Sequence, residues 1–231
     1  MASSVEGLVE EIAEARRLNA PLSAGAPQWS SLDRDTAEKV ASALYERWGA
    51  VGSPFWKLGA VDAPTQERFG LNGPVCGPLV PSNVRVEATQ VTIARSDFIH
   101  AKFEAEVGVG VGADGELRAM PCVEVADSRF EGWKLPPFGV LADGALQGMM
   151  LFGPGVAPPS TPIHVDVVRD GVLLASGDQG WPESAVRLDV LPHDANATHV
   201  ATGALTALFD VIEGEWTFDF GTLGRLVVTV Q

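Results

Sequence analysis

The chain has 231 residues, 46% of them apolar, enough for a substantial core and close to the upper limit of one domain. With 30 acidic against 16 basic residues the net charge is -14, which disfavours nucleic acid or an anionic membrane surface as a partner. No run reaches the roughly 18 apolar residues of a membrane span, and the opening Met-Ala-Ser-Ser-Val-Glu-Gly lacks the basic and apolar regions of a secretory leader; a cytoplasmic protein is expected.

Val5, Leu8, Val9 and Ile12 recur at helical spacing, with Glu10, Glu11 and Glu14 on the other face, and Asn19-Ala-Pro21 closes the pattern. A second helix is predicted from near Ser30, whose spacing to Asp33 suits a capping box, through Val40, Ala41, Leu44 and Trp48 to a stop at Gly49. From about Trp56 onward, Gly and Pro punctuate short runs of Val, Leu, Ile and Phe, a rhythm of strands and turns. Asp114-Gly115 and Asp170-Gly171 are hairpin signals. Trp216, Phe218 and Phe220 alternate with polar residues before Gly221-Thr-Leu-Gly224 turns the chain into Leu226-Val-Val-Thr-Val230, a closing hairpin. The order predicts an α+β fold in one domain, 1–231, with a helical region over 1–50 and a β-rich body over 51–231.

Within that body, Phe103-Glu-Ala-Glu-Val107 and Val123-Glu-Val-Ala-Asp-Ser-Arg129 place Glu104, Glu106 and Glu124 in apolar strand sequence, where uncompensated carboxylates are costly. Glu104 and Glu106 share a strand face with Gly108 and Gly110, whose lack of side chains leaves room for a ligand, while Phe103, Ala105 and Val107 face the core. Carboxylates roughly 7 Å apart repel, and a cation relieves them. If Asp114-Gly115 lies in a three-residue hairpin loop, Glu104 pairs with Glu124 and Glu106 with Cys122, putting all three acids on one face; a two-residue loop puts Glu124 on the other. A lone Glu-x-Glu is more often a solvated strand face, but three carboxylates with water suit Mg²⁺ or Mn²⁺. None of His100, His164, His193 or His199 forms a close pair, which disfavours zinc; His100 is the one histidine near the acidic strand. Cys76 and Cys122 are too far apart for a cysteine metal site and read as small buried residues.

These residues resemble the fumarylacetoacetate hydrolase superfamily, in its branch of 2-oxopent-4-enoate hydratases and 4-oxalocrotonate decarboxylases. Glu-Ala-Arg-Arg at 14 to 17, Lys57-Leu-Gly with Gln66 and Phe69-Gly70 downstream, Phe103-Glu-Ala-Glu-Val107, Pro121-Cys-Val-Glu-Val-Ala-Asp-Ser-Arg129 with Trp133-Lys134, Thr202-Gly203 and Asp219-Phe-Gly-Thr-Leu-Gly224 each resemble a segment of that branch. The resemblance implies N-terminal helices packed on a mixed β-sandwich roll, a Mg²⁺ or Mn²⁺ ion on Glu104, Glu106 and Glu124, Thr202 and Gly203 near the substrate, and a homo-oligomer. The chain departs from the hydratases in carrying Pro74-Val75-Cys76-Gly77 for Pro-Asp-Phe-Gly, and Ala142-Asp143-Gly-Ala-Leu-Gln-Gly148 for Ala-Asp-Asn-Ala-Ser-Ser-Gly. An acid, an amide and a hydroxyl are missing.

The expected activity is that of a metal-dependent lyase on a small 2-oxo acid or its dienol, hydratase- or decarboxylase-like. Lys57, flanked by Trp56 and Leu58, is the candidate proton shuttle, its alternative being a solvated surface lysine. Arg129 and Lys134 are candidate ligands of the substrate carboxylate, with an ion pair to Asp127 the favoured alternative for Arg129. Hydration needs a group to position water, which the missing side chains could have supplied, whereas decarboxylation needs an electron sink and one proton donor. Two rivals are an acylpyruvate-type C-C bond hydrolase using His100 and a divergent, non-catalytic member that keeps the metal site.

Overall fold

The computed structural model describes residues 4–112, 114–179 and 187–231. It opens with helix α1 (Val5–Leu18), capped by the Ser4 hydroxyl accepting from the Gly7 amide and closed by Asn19 in the left-handed region. A short turn, α2 (Pro27–Ser30), precedes α3 (Arg34–Arg47). The cap of α3 is Asp33, not Ser30: Asp33 Oδ1 accepts from the Thr36 amide at 2.7 Å, while the Ser30 hydroxyl is spent on the Pro27 carbonyl. Pro27 starts a separate turn that ends at Ser30, and the charged carboxylate is the better acceptor at a helix N-terminus.

The β-rich body follows: β1 (Phe55–Gly59), α4 (Ala63–Phe69), β2 (Val75–Pro78), β3 (Val84–Arg85), β4 (Gln90–Ile93), β5 (Ala101–Val111) and β6 (Leu117–Asp127). After these come α5 (Gly139–Ala142), β7 (Gln147–Phe152), β8 (Ile163–Arg169), β9 (Val172–Gln179), β10 (His199–Ala204), β11 (Phe209–Asp210), β12 (Gly214–Asp219) and β13 (Arg225–Val230). Helix α4 interrupts what the sequence pattern reads as strands; Asp62 caps it, Pro64 sits in its first turn and Gly70 ends it in the left-handed region.

One mixed sheet runs β2-β1-β10-β5-β6-β7-β3, with β11 beside β5, and a second runs β4-β13-β12-β8-β9. The expected hairpins at Asp114-Gly115, Asp170-Gly171 and 221–224 are all present. In the first, Gly112 and Glu116 close a three-residue loop, so Glu104 faces Glu124 and Glu106 faces Cys122. The other sides of β5 and β6 supply Phe103, Ala105, Val107, Val123 and Val125 to a core shared with Val165, Trp216, Phe218 and Val228 of the second sheet. Phe103 sits 4.9 Å from Trp216 and 5.4 Å from Phe218 between ring centroids, and burial of each such ring is worth roughly 1.5–3 kcal/mol. Helices α1 and α3 bury Leu8, Ile12, Val40 and Leu44 around Trp29 and cover Phe130 and Ala142 of the body. No described helix is long and apolar enough to cross a membrane.

Candidate metal centre

The face of β5 and β6 turned from that core carries the acids. Glu104 and Glu124 are directly opposed across an antiparallel pair, and one carboxylate oxygen from each of Glu104, Glu106 and Glu124 lies within 4.8 Å of the others. Glu106 and Glu124 are buried and Glu104 half-buried. Strand β1 adds Lys57, paired in register with Ala201 of β10 on one side and Gly77 of β2 on the other. Its side chain is 5% exposed, and Nζ donates to Glu124 Oε1 at 2.5 Å and to the Ala145 carbonyl at 2.9 Å. The solvated-lysine alternative is thereby overturned.

Strand β10 closes the cluster. A register shift between Ala201 and Ala204 turns the Gly203 amide out of the ladder so that it donates to Glu106 Oε2 at 2.8 Å. Gly203 has φ +104, and a Cβ there would lie 2.7 Å from Val61 Cγ2, so this approach requires glycine. The Thr202 hydroxyl donates to the Val107 carbonyl at 2.8 Å and holds β10 on β5. The glycines expected to leave ligand room do otherwise: a Cβ on Gly108 would meet Met120 and Phe152, and one on Gly110 the Thr198 carbonyl. Their missing side chains admit core packing. Cys122 is buried on the acid-bearing face, its thiol against Met150 Sδ at 3.2 Å and pushed up by burial and then by Glu106 and Glu124.

Electrostatically the cluster is incomplete. With all three ionised, the carboxylates against one ammonium would leave about two net negative charges in a desolvated place. Glu106 Oε1 and Glu124 Oε2 are buried and accept no hydrogen bond. Burial, then the neighbouring Glu124 carboxylate, raises Glu104 to about 7, and burial with Glu124 and Glu104 pushes Glu106 well above the usual carboxylate range. Burial also raises Glu124, against the pull of Lys57. For Lys57 burial acts downward, but Glu124, Glu104 and Glu106 together outweigh it and the ammonium form is favoured. An all-oxygen donor set with two orphaned acceptors and two surplus charges fits a hard divalent cation.

A cavity of about 210 Å³ opens onto this cluster. Lys57, Glu104 and Gly203 reach it, and Val61, Phe69, Val140, Leu146 and Leu208 make its walls mainly apolar. Its polar rim comes from Asp62, Thr65 and Arg68 of the α4 segment, which sequence reasoning missed; Asp62-Ala-Pro64 and Gly70 were the signals that could have found it. A larger cavity of about 640 Å³, between α3, β1 and β2 and lined by Tyr45, Trp56 and Cys76, lacks the acids.

Arg129 and Lys134 stand elsewhere. Arg129 is fully buried and gives its side chain to Asp143 and the carbonyls of Asp143 and Gln147, away from the cavity. Its expected partner Asp127 instead accepts from the amides of Ile99 at 3.0 Å and His100 at 2.8 Å. Those amides lie directly beside Asp127, while Arg129 reaches back over the chain to residue 143. Lys134 is exposed and does not line the cavity. Nor does His100, whose buried Nε2 has no partner and whose carbonyl accepts from Trp133 Nε1.

No family model matches the chain. The 2-keto-4-pentenoate hydratase 1 of Dechloromonas aromatica is 27% identical over 162 residues, 64% of this chain and 60% of that protein. The chain thus spans less than two thirds of this relative's length. The 4-oxalocrotonate decarboxylase of Pseudomonas putida G7, solved with magnesium and adipate, matches the fold with a TM-score of 0.82 and 22% identity, covering 98% of this chain and 97% of the other. The fumarylpyruvate hydrolase of Pseudomonas aeruginosa, solved with Mn²⁺ and pyruvate, matches at a TM-score of 0.54 and 16% identity, covering 76% and 88%. The chain is thus similar in sequence to 2-keto-4-pentenoate hydratases and shares its fold with the 4-oxalocrotonate decarboxylase.

Proposed function

We propose that the protein is a metal-dependent lyase acting on a small 2-oxo acid or its dienol, with Glu104, Glu106 and Glu124 holding Mg²⁺ or Mn²⁺. The observation that carries the reading is the meeting of those three carboxylates with a buried lysine beside a cavity that Lys57 and Glu104 line. A divalent ion there would polarise the 2-oxo oxygen and stabilise the negative charge that develops when a bond at the conjugated carbon breaks. Lys57 Nζ holds a proton between Glu124 and Ala145 and is poised to deliver it to carbon. The apolar walls exclude water from that transfer.

Between the two lyase chemistries, the surroundings of Lys57 favour decarboxylation. Where the hydratases of the resemblance carry an acid, Val75 stands buried beside Gly59, next to the Lys57 stem. Val75 removes one group that could orient an attacking water there, while loss of CO₂ needs only the electron sink and the donor. Hydration remains the second reading, supported by the hydratase relative. The hydrolase reading loses support because His100 lies outside the cavity lining.

We further read the paired sheets as the family's sandwich roll and the chain as a single domain of a cytoplasmic homo-oligomer. The shared core supports one folding unit, and the exposed Val172, Leu173 and Leu174 on edge strand β9 support contact with a second copy. The decisive experiment incubates the Mn²⁺-loaded protein with a panel of 2-oxo acids and dienols, following dienol absorbance, CO₂ and pyruvate. CO₂ release or dienol loss is expected; pyruvate from an acylpyruvate would replace the lyase with a hydrolase. Metal uptake without turnover would leave the non-catalytic alternative.

A further inference from the structure

We propose that Arg129 and Asp143, which do not touch the cavity, are positioning residues whose ion pair locks the turn at 144–146 so that the Ala145 carbonyl holds Lys57 Nζ against Glu124. This assignment rests on the reading of Lys57 as the proton donor. Arg129 grips both ends of the turn: its amide donates to Asp143 Oδ2 at 2.9 Å, Nε to Asp143 Oδ1, Nη2 to the Asp143 carbonyl at 2.6 Å and Nη1 to the Gln147 carbonyl at 2.9 Å. Both side chains are fully buried.

Between those ends the backbone is held where it would not stay unaided. Gly144, Ala145 and Leu146 have φ of +60, +59 and +61, and only the first is glycine. Left-handed conformation is unfavourable for Ala and Leu and persists where surroundings over-determine it. Here the surroundings are the clamp at 143 and 147 and the end of α3, since a Cβ on Gly144 would lie 2.9 Å from Trp48 Cζ3. The Trp48 ring in turn carries the guanidinium groups of Arg16, 4.5 Å from its centroid, and of Arg129 at 5.6 Å. Within this strained turn the Ala145 carbonyl accepts from Lys57 Nζ at 2.9 Å.

A buried ion pair replaced as a unit by apolar residues frequently costs little stability, so its use here is geometric. Two variants separate a positioning role from a merely structural one: Arg129→Met with Asp143→Leu, and Arg129→Lys, which keeps a positive charge beside Asp143 but loses the fork that grips the carbonyls of 143 and 147. Proton exchange of the Lys57 ammonium is read by ¹⁵N NMR on the Mg²⁺-loaded protein, the signal being assigned by its absence in Lys57→Met. In each variant that folds, exchange is expected to accelerate about tenfold or more, with kcat falling about tenfold and KM within about threefold of the parent. Unchanged Lys57 exchange in folded Arg129→Lys would overturn the proposal, as would unchanged exchange in the folded double variant. Exchange is measured without substrate, so the result stands even if no 2-oxo acid is turned over.

Discussion

Glu106 carries the heaviest electrostatic burden of the three acids, because it is fully buried, faces two other carboxylates and has one oxygen with no partner. Glu106→Gln should therefore weaken Mg²⁺ or Mn²⁺ binding by at least roughly 100-fold in calorimetry, while raising the melting temperature of the metal-free protein by relieving repulsion. The same burden gives a pH dependence of definite sign. Glu104 at about 7 and Glu106 well above its usual range bind protons more tightly folded than unfolded, so folded-state stability falls as pH rises from the unfolded value near 4.5 through 7. Thermal unfolding with chelator should show a lower melting temperature at pH 8 than at pH 5, and excess divalent metal, which binds the deprotonated acids, should reverse the loss. A flat profile would contradict the shifts. Lys57→Met should lower kcat by roughly 10²- to 10⁴-fold with metal uptake retained. At this scale the acids were legible because charged residues alternate with Phe103, Ala105 and Val107 in an otherwise apolar strand. Arg129's true partner was not, since a salt bridge to a residue 14 positions on depends on how the turn at 144–146 folds back.

The β5–β6 hairpin brings Glu104, Glu106 and Glu124 together, and its register is held along its length by burial rather than at its tip. Both strands bury core side chains on one face and the acid cluster on the other, so a one-residue slip would expose the first and scatter the second. A glycine inserted between Asp114 and Gly115 should accordingly be absorbed in the loop, leaving metal affinity within about twofold in calorimetry. Phe103→Ala, which empties the contact with Trp216 and Phe218, should destabilise by about 3–5 kcal/mol in denaturant unfolding. Strands and hairpins were readable from alternation and turn residues. The boundary of α3 and the existence of α4 were misread because Ser30 offers a plausible cap in competition with Asp33, and because α4 spans only seven residues, too few to show a period against strands on either side.

At the scale of the whole molecule, the mixed order of the large sheet sets strands far apart in sequence side by side. Strand β1 lies parallel to β10, Lys57 reaches Glu124 across 67 residues and Ala145 across 88, and Glu106 meets the Gly203 amide across 97. Periodicity could not show this adjacency, because it reports which face a residue takes and not which strand becomes its neighbour; only the family resemblance put Lys57 and Gly203 near the acids. A protein rich in such contacts folds slowly, since loop closure must precede the interactions that reward it. All three candidate metal ligands and Lys57 lie within the first 124 positions, yet the amide on which Glu106 leans arrives only with residue 203. During synthesis the ligands therefore emerge long before their support. On the proposed reading, metal capture would wait for residue 203, and an ion bound here would stabilise the folded state rather than seed it.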